Sequence, residues 1–228
     1  MRNKRVKHMG RNTEKDAIQM AEKQKNILET AFRVFSERTI ESVTMTDIAK
    51  EAGIGIATLY RYYSTKPKIV MAVCVDAWKN YSREQNIFSD SDLPDDLTAA
   101  EDFEMYLDSF IELYRHHKDI LRFNQFFNVY IQNQDVTVED MKELNNFIYQ
   151  LRDKFELLYQ KGKKDGTLCC DVSGSRIFSL TIHLMLAAVT RYAVGLVYIE
   201  DCDPEEELLQ QKKMLMQEFT AVSEAGTV

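Results

Sequence analysis

The chain has 228 residues, 3 prolines and 8 glycines. It is long enough for one or two buried cores and poor in the residues that interrupt helices, which excludes a collagen-like or low-complexity chain. Its net charge of −7 argues against a uniformly basic nucleic-acid binder. However, residues 1–68 hold 14 Lys+Arg against 8 Asp+Glu, a net +6, and residues 69–228 hold 15 against 28, a net −13. A basic module on an acidic body suits one part that faces an anion, because attraction to phosphate is local.

In chain order, residues 1–15 carry six Lys and Arg and almost no apolar side chain. They read as a flexible basic tail, either solvated or able to reach DNA, and no apolar stretch follows them as in a secretory signal. Residues 16–36 repeat apolar positions at helical spacing. Thr44 stands three residues before Asp47, which predicts a capping box opening a short helix with Ile48 and Ala49 inward. Gly53 ends it, since glycine tolerates the left-handed geometry of a tight turn. A second short helix starts near Ala57. Leu59 and Tyr63, four apart, share its inner face, and Thr58, Arg61 and Tyr62 lie on the others. Helix, tight turn and polar-aromatic helix are the parts of a DNA-reading helix-turn-helix.

Residues 66–88 read as a connecting helix and 89–98 as a loop. Two aromatic-rich helices follow over 99–117 and 119–133, then a helix over 137–164 opened by Thr137. The run Ile177–Ile199 could span a bilayer by length, but His183 and Arg191 interrupt it. It is expected instead to bury one face on the chain's own core and the other on a second subunit, with Ala187, Ala188 and Gly195 permitting close approach. Asp203-Pro204 opens a last helix.

The stretch 24–75 resembles the DNA-binding domain of the tetracycline-repressor (TetR) family of bacterial regulators. Ile27, Leu28, Ala31 and Phe35 match its first helix. Thr44, Ile48, Ala49, Ala52 and Gly53 match its second block, and Thr58, Leu59, Tyr60, Tyr62, Tyr63 and Lys66 its third. The chain departs from the family pattern at Arg38, where glycine is usual, at Gly55, usually Ser, and at Ile56, often polar or basic. Ile56 could meet a thymine methyl or simply pack. The resemblance implies an all-α fold, with an N-terminal three-helix helix-turn-helix domain (16–68) and a C-terminal helical domain (69–228) for ligand binding and dimerisation. It implies a double-stranded DNA operator as partner, read by Thr44, Thr46, Ile56, Thr58, Tyr60, Arg61, Tyr62 and Lys66. Among these, Tyr60 and Lys66 match positions that usually meet phosphates. It also implies a homodimer through the last two helices, residues 173–222.

The middle helices are dense in aromatics. Tyr106, Phe110, Tyr114, Phe123, Phe127, Tyr130 and Phe147, joined by His183 and Arg191, are the candidate wall of a chamber for a small apolar or aromatic ligand; a plain core is the competing reading. Arg191 needs an acid, either a protein carboxylate or an anionic ligand. No cofactor or metal is expected. Glu112 and His116 are only two ligands, and Cys74, Cys169, Cys170 and Cys202 form no metal-binding spacing. No nucleophile elbow, phosphate loop or zinc motif occurs, so an enzyme is not expected. The expectation is a cytoplasmic, ligand-responsive dimeric transcriptional regulator, acting as a repressor. The alternative is a small-molecule-binding helical protein whose helix-turn-helix is vestigial.

Overall fold

The structure, a computed structural model, describes residues 6–87, 96–134, 136–169, 171–197 and 203–221, the side chains of residues 6–14 excepted. Over these it is all-helical: α1 (Val6–Glu37), α2 (Met45–Glu51), α3 (Ile56–Tyr62), α4 (Lys66–Glu84), α5 (Ala99–His116), α6 (Lys118–Gln132), α7 (Lys142–Asp165), α8 (Gly174–Ala193) and α9 (Pro204–Phe219). An N-terminal helix-turn-helix domain precedes a helical C-terminal domain. No described helix is long and apolar enough to cross a membrane.

Two cores organise the chain. The first joins α1 to α4 around Ile27, Phe35, Ile48 and Leu59, and it also takes Phe123, Phe127 and Tyr130 from α6. The second gathers α5, α7, α8 and α9 around Phe103, Leu107, Phe155 and Met185. Phe32 and Trp78 pack against both. Burial therefore does not break at residue 68, where the charge does.

Several boundaries differ from expectation for local reasons. The tail expected over 1–15 is helical from Val6 onward, and residues 1–5 lie outside the described part. Val6–Met20 holds no proline and is rich in Lys, Arg, Glu and Gln, which extend a helix readily. Residues 15–26 are exposed, and within this arm of α1 Gln24 and Asn26 bond to the helix-turn-helix. Thr137 does cap, accepting from the Asp140 N–H at 3.2 Å while Asp140 accepts from the Thr137 N–H at 3.0 Å, but the box closes a separate turn and α7 begins only at Lys142.

The run expected as one helix to residue 199 stops at Ala193. Gly195, at φ +77°, and the bonds Gly195 N–H to Tyr192 O and Leu196 N–H to Arg191 O form a Schellman end. In the single chain α8 buries one face on the core, and its outer face, the one expected to meet a second subunit, carries exposed Leu180, His183, Leu184 and Ala187.

α9 is fastened across α5. Lys212 Nζ sits 2.9 Å from Glu104 and 2.7 Å from Asp108, and Arg115 reaches Glu205 at 2.6 Å. Behind α9, Cys169 N–H donates to Phe219 O at 2.8 Å and Ala221 N–H to Thr167 O at 2.9 Å, closing residues 219–221 on the α7–α8 loop.

Candidate nucleic-acid interface and ligand chamber

The helix-turn-helix is assembled from short-range bonds. Thr44 Oγ1 accepts from the Asp47 N–H at 3.1 Å, and the Asp47 carboxylate accepts from the Thr44 N–H at 2.8 Å and its hydroxyl at 2.6 Å. These bonds, the hydroxyl first, hold the Asp47 carboxyl below its ordinary range. Gly53 takes φ +66°, with Ile54 N–H reaching back to Ala49 O at 3.0 Å. Gly55 is the N-cap of α3 and offers no side-chain bond, the departure noted in the sequence. α1 buttresses the pair: Arg33 meets Glu51 at 3.0 Å, Asn26 donates to Ala52 O at 3.1 Å, and Gln24 donates to the Tyr63 hydroxyl at 3.3 Å.

With Leu59 and Tyr63 buried inward, the opposite face of α3 presents Ile56, Tyr60 and Arg61 to solvent, with Thr58 and Tyr62 half-buried beside them. The Arg61 guanidinium lies 5.8 Å from the Tyr62 ring. Thr44 and Thr46 are exposed on α2. Lys66 is placed differently. Its ammonium donates to Glu41 O at 3.2 Å and lies 5.8 Å from the Tyr130 ring of α6, so it sits in the seam between the two domains. Burial there lowers its pKa from the usual lysine value.

The aromatic helices enclose a cavity of about 340 Å³. Of the nine residues expected in its wall, Tyr106, Phe110, Phe127 and Phe147 line it and five do not. Phe123 faces the first core, 5.7 Å from Phe32 and 6.4 Å from Phe35. Tyr130 lies beneath Lys66. Tyr114, one turn beyond Phe110 on α5, packs between Tyr192 and the Lys118 ammonium. His183 is exposed on the outer face of α8, and Arg191 is half-buried in its last turn. Position along the helix explains one of these misses: Phe123 and Phe127 share a face of α6, but Phe127 reaches the chamber and Phe123, one turn earlier, lies beyond its end, against α1.

The wall contributed by α4 was not anticipated. Cys74, Trp78, Tyr81 and Ser82 all line the cavity. Their spacing of four, three and one is that of a single helix face, and it could have been read from the sequence. The Tyr81 hydroxyl donates to Ser109 O, and Asn124 donates to Thr190 Oγ1 at 3.2 Å. Burial pushes the Tyr81 and Tyr106 phenols and the Cys74 thiol far up, so all three stay protonated. No group of His, Cys, Asp and Glu able to hold a metal is found among the described residues.

A second apolar surface lies outside, between α8 and α9, where exposed Leu180 and Leu184 face a groove shared with Met214 and Leu215.

Comparison with known proteins agrees with this geometry. Residues 27–73 match the family model of the bacterial regulatory proteins, tetR family. An HTH-type transcriptional regulator of Staphylococcus aureus (strain MRSA252) is 26% identical over 188 residues, 80% of this chain and 95% of that protein. Among solved structures, the regulator FadR from Bacillus subtilis, in complex with stearoyl-CoA, superposes with a TM-score of 0.66 at 16% identity, over 85% of this chain and 97% of that one. A transcriptional regulator from Saccharomonospora viridis, in complex with choline, gives 0.66 at 18% identity, over 89% and 100%.

Proposed function

Because the chain belongs to the TetR family of transcriptional regulators, we propose that it is a dimeric repressor released from its operator by a small apolar molecule held in the chamber. The observation that carries this reading is the double role of α4. Its first turn follows α3 directly, and three turns later its Cys74, Trp78 and Tyr81 form chamber wall. A molecule that fills the cavity presses on the helix that sets where α3 sits. Two α3 helices related by a dimer axis enter successive major grooves roughly 34–36 Å apart, and a change in that separation weakens binding. The shift can be no larger than the ligand's preference for one state over the other.

On the DNA side, Arg61 and Thr58 read base edges, Ile56 meets a thymine methyl, and Thr44, Thr46, Tyr60 and Tyr62 position the backbone. Lys66 reaches a phosphate after leaving Glu41. The exposed leucines of α8 and the groove beside α9 support pairing through residues 173–222, since a monomer would leave this apolar face in water. The stearoyl-CoA and choline belong to those two proteins; they illustrate that this fold accommodates chemically different molecules.

The test is a gel shift on the DNA flanking the coding sequence, repeated with each lipophilic compound that raises the melting temperature. Binding that is lost with a stabilising compound supports the reading. Failure to bind any flanking DNA, with stabilisation retained, supports a ligand-binding protein with a vestigial helix-turn-helix. Loss of the chain from its host should raise expression of the flanking genes, and lowered expression would reverse the sign of regulation.

A further inference from the structure

The chamber wall is uniform in one respect. No Asp, Glu, Lys, Arg or His occurs among the described residues that line it. The three titratable groups that do line it, Cys74, Tyr81 and Tyr106, are held neutral by burial. Most of the polar wall is already engaged. The Tyr81 hydroxyl donates to Ser109 O, the Ser109 hydroxyl donates to Tyr106 O at 2.7 Å, and Asn124 Nδ2 donates to Thr190 Oγ1. Beside these and the buried Tyr106 phenol, Asn128 is exposed at the rim on α6 and Ser82 is half-buried on α4.

A charged group brought into such a space loses its hydration and gains no counter-charge, a cost that grows steeply with burial. A neutral molecule incurs no such cost and gains the apolar contact. We infer that this chamber selects uncharged ligands: a neutral, largely aromatic or alicyclic molecule with one hydrogen-bonding group directed to Asn128, to the exclusion of carboxylates and ammonium compounds of the same skeleton. The inference rests on the chamber being the effector site, and it narrows that reading to one ligand class. At about 340 Å³ the cavity suits two or three fused or linked rings.

The test uses the full-length protein at neutral pH with N-phenyl-1-naphthylamine, a neutral dye that brightens in apolar sites, as reporter. Three competitors share one ring system: 1-naphthalenemethanol, 1-naphthoate and 1-naphthylmethylammonium. The alcohol should displace the dye at a concentration at least about 30-fold below either ion. In Asn128→Lys, an exposed position tolerant of the change, naphthoate should gain about tenfold and the ammonium compound should weaken further. Equal displacement by the acid or the amine overturns the neutrality of the site but leaves the chamber standing. An unchanged naphthoate constant in Asn128→Lys also overturns it, because the discrimination would then be steric. If the dye itself gives no saturable signal, the chamber is not a binding site and both readings fall together.

Discussion

Arg61 and Lys66 lie five residues apart, yet the structure gives them different surroundings. Arg61 is exposed on the outer face of α3 beside the Tyr62 ring, while Lys66 is drawn into the seam by Glu41 and Tyr130. Replacing Arg61 with Ala should relax preference at one base position by roughly 1–3 kcal/mol. A selection from random DNA would reveal this as a degenerate column, and an unaltered motif would remove Arg61 from the reading face. Lys66→Ala should instead weaken binding to all sequences alike and flatten the salt dependence by about one counterion, as measured by titration across a salt series.

Asp47 contributes to stability in a pH-dependent way. Its carboxyl is held below the unfolded value near 4 by the Thr44 bonds, so its contribution is complete above that value and is lost as pH falls through the lowered one. Melting temperatures recorded from pH 7 to pH 3 should show a shallower acid limb in Asp47→Asn than in the parent.

At the scale of elements, close approach decides what the helices tolerate. A Cβ built on Gly162 of α7 would meet Leu168 Cγ at 2.5 Å, where the α7–α8 loop folds back before bridging to Thr220. Gly162→Ala should therefore cost about 1–3 kcal/mol by overpacking, despite alanine's better helix propensity. Thermal unfolding would settle this, and a stabilised variant would mean that the loop gives way.

Much at this scale could be read from the sequence, because the signals were chemical and local. Thr44-Asp47 and Gly53 fixed the ends of α2, and Thr98 caps α5 by the same device. What escaped depended on partners distant in the chain. An acid three residues after Thr137 looks the same whether it opens a long helix or an isolated turn. Whether Phe123 or Phe127 meets the chamber depends on where α1 crosses α6. His183 and Arg191 stood out as polar groups in an apolar run, but the periodicity could not say which side of α8 met its own chain.

For the whole molecule, the proposed dimer would rest on the apolar face of α8 and α9. Leu184 is 51% exposed in the single chain. Leu184→Arg should leave the fold intact and halve the mass seen by light scattering at micromolar concentration, with operator binding weakened because the two α3 helices are no longer linked. A parent protein that already scatters as one chain would remove the dimer from the mechanism. Occupancy of the chamber should raise global stability by mass action, about 2.7 kcal/mol at a hundredfold excess over Kd.

Trp78 is the only tryptophan of the chain; it lines the chamber and packs against both cores from α4. On the proposed mechanism, the protein thus carries its own optical gauge at the junction between sensing and reading. Emission excited near the red edge of indole absorbance comes from this one position, with no other indole to subtract. A ligand entering beside it and an operator repositioning α4 should each alter its colour or lifetime, and a stopped-flow trace of that single signal would time the passage of the message from one end of the helix to the other.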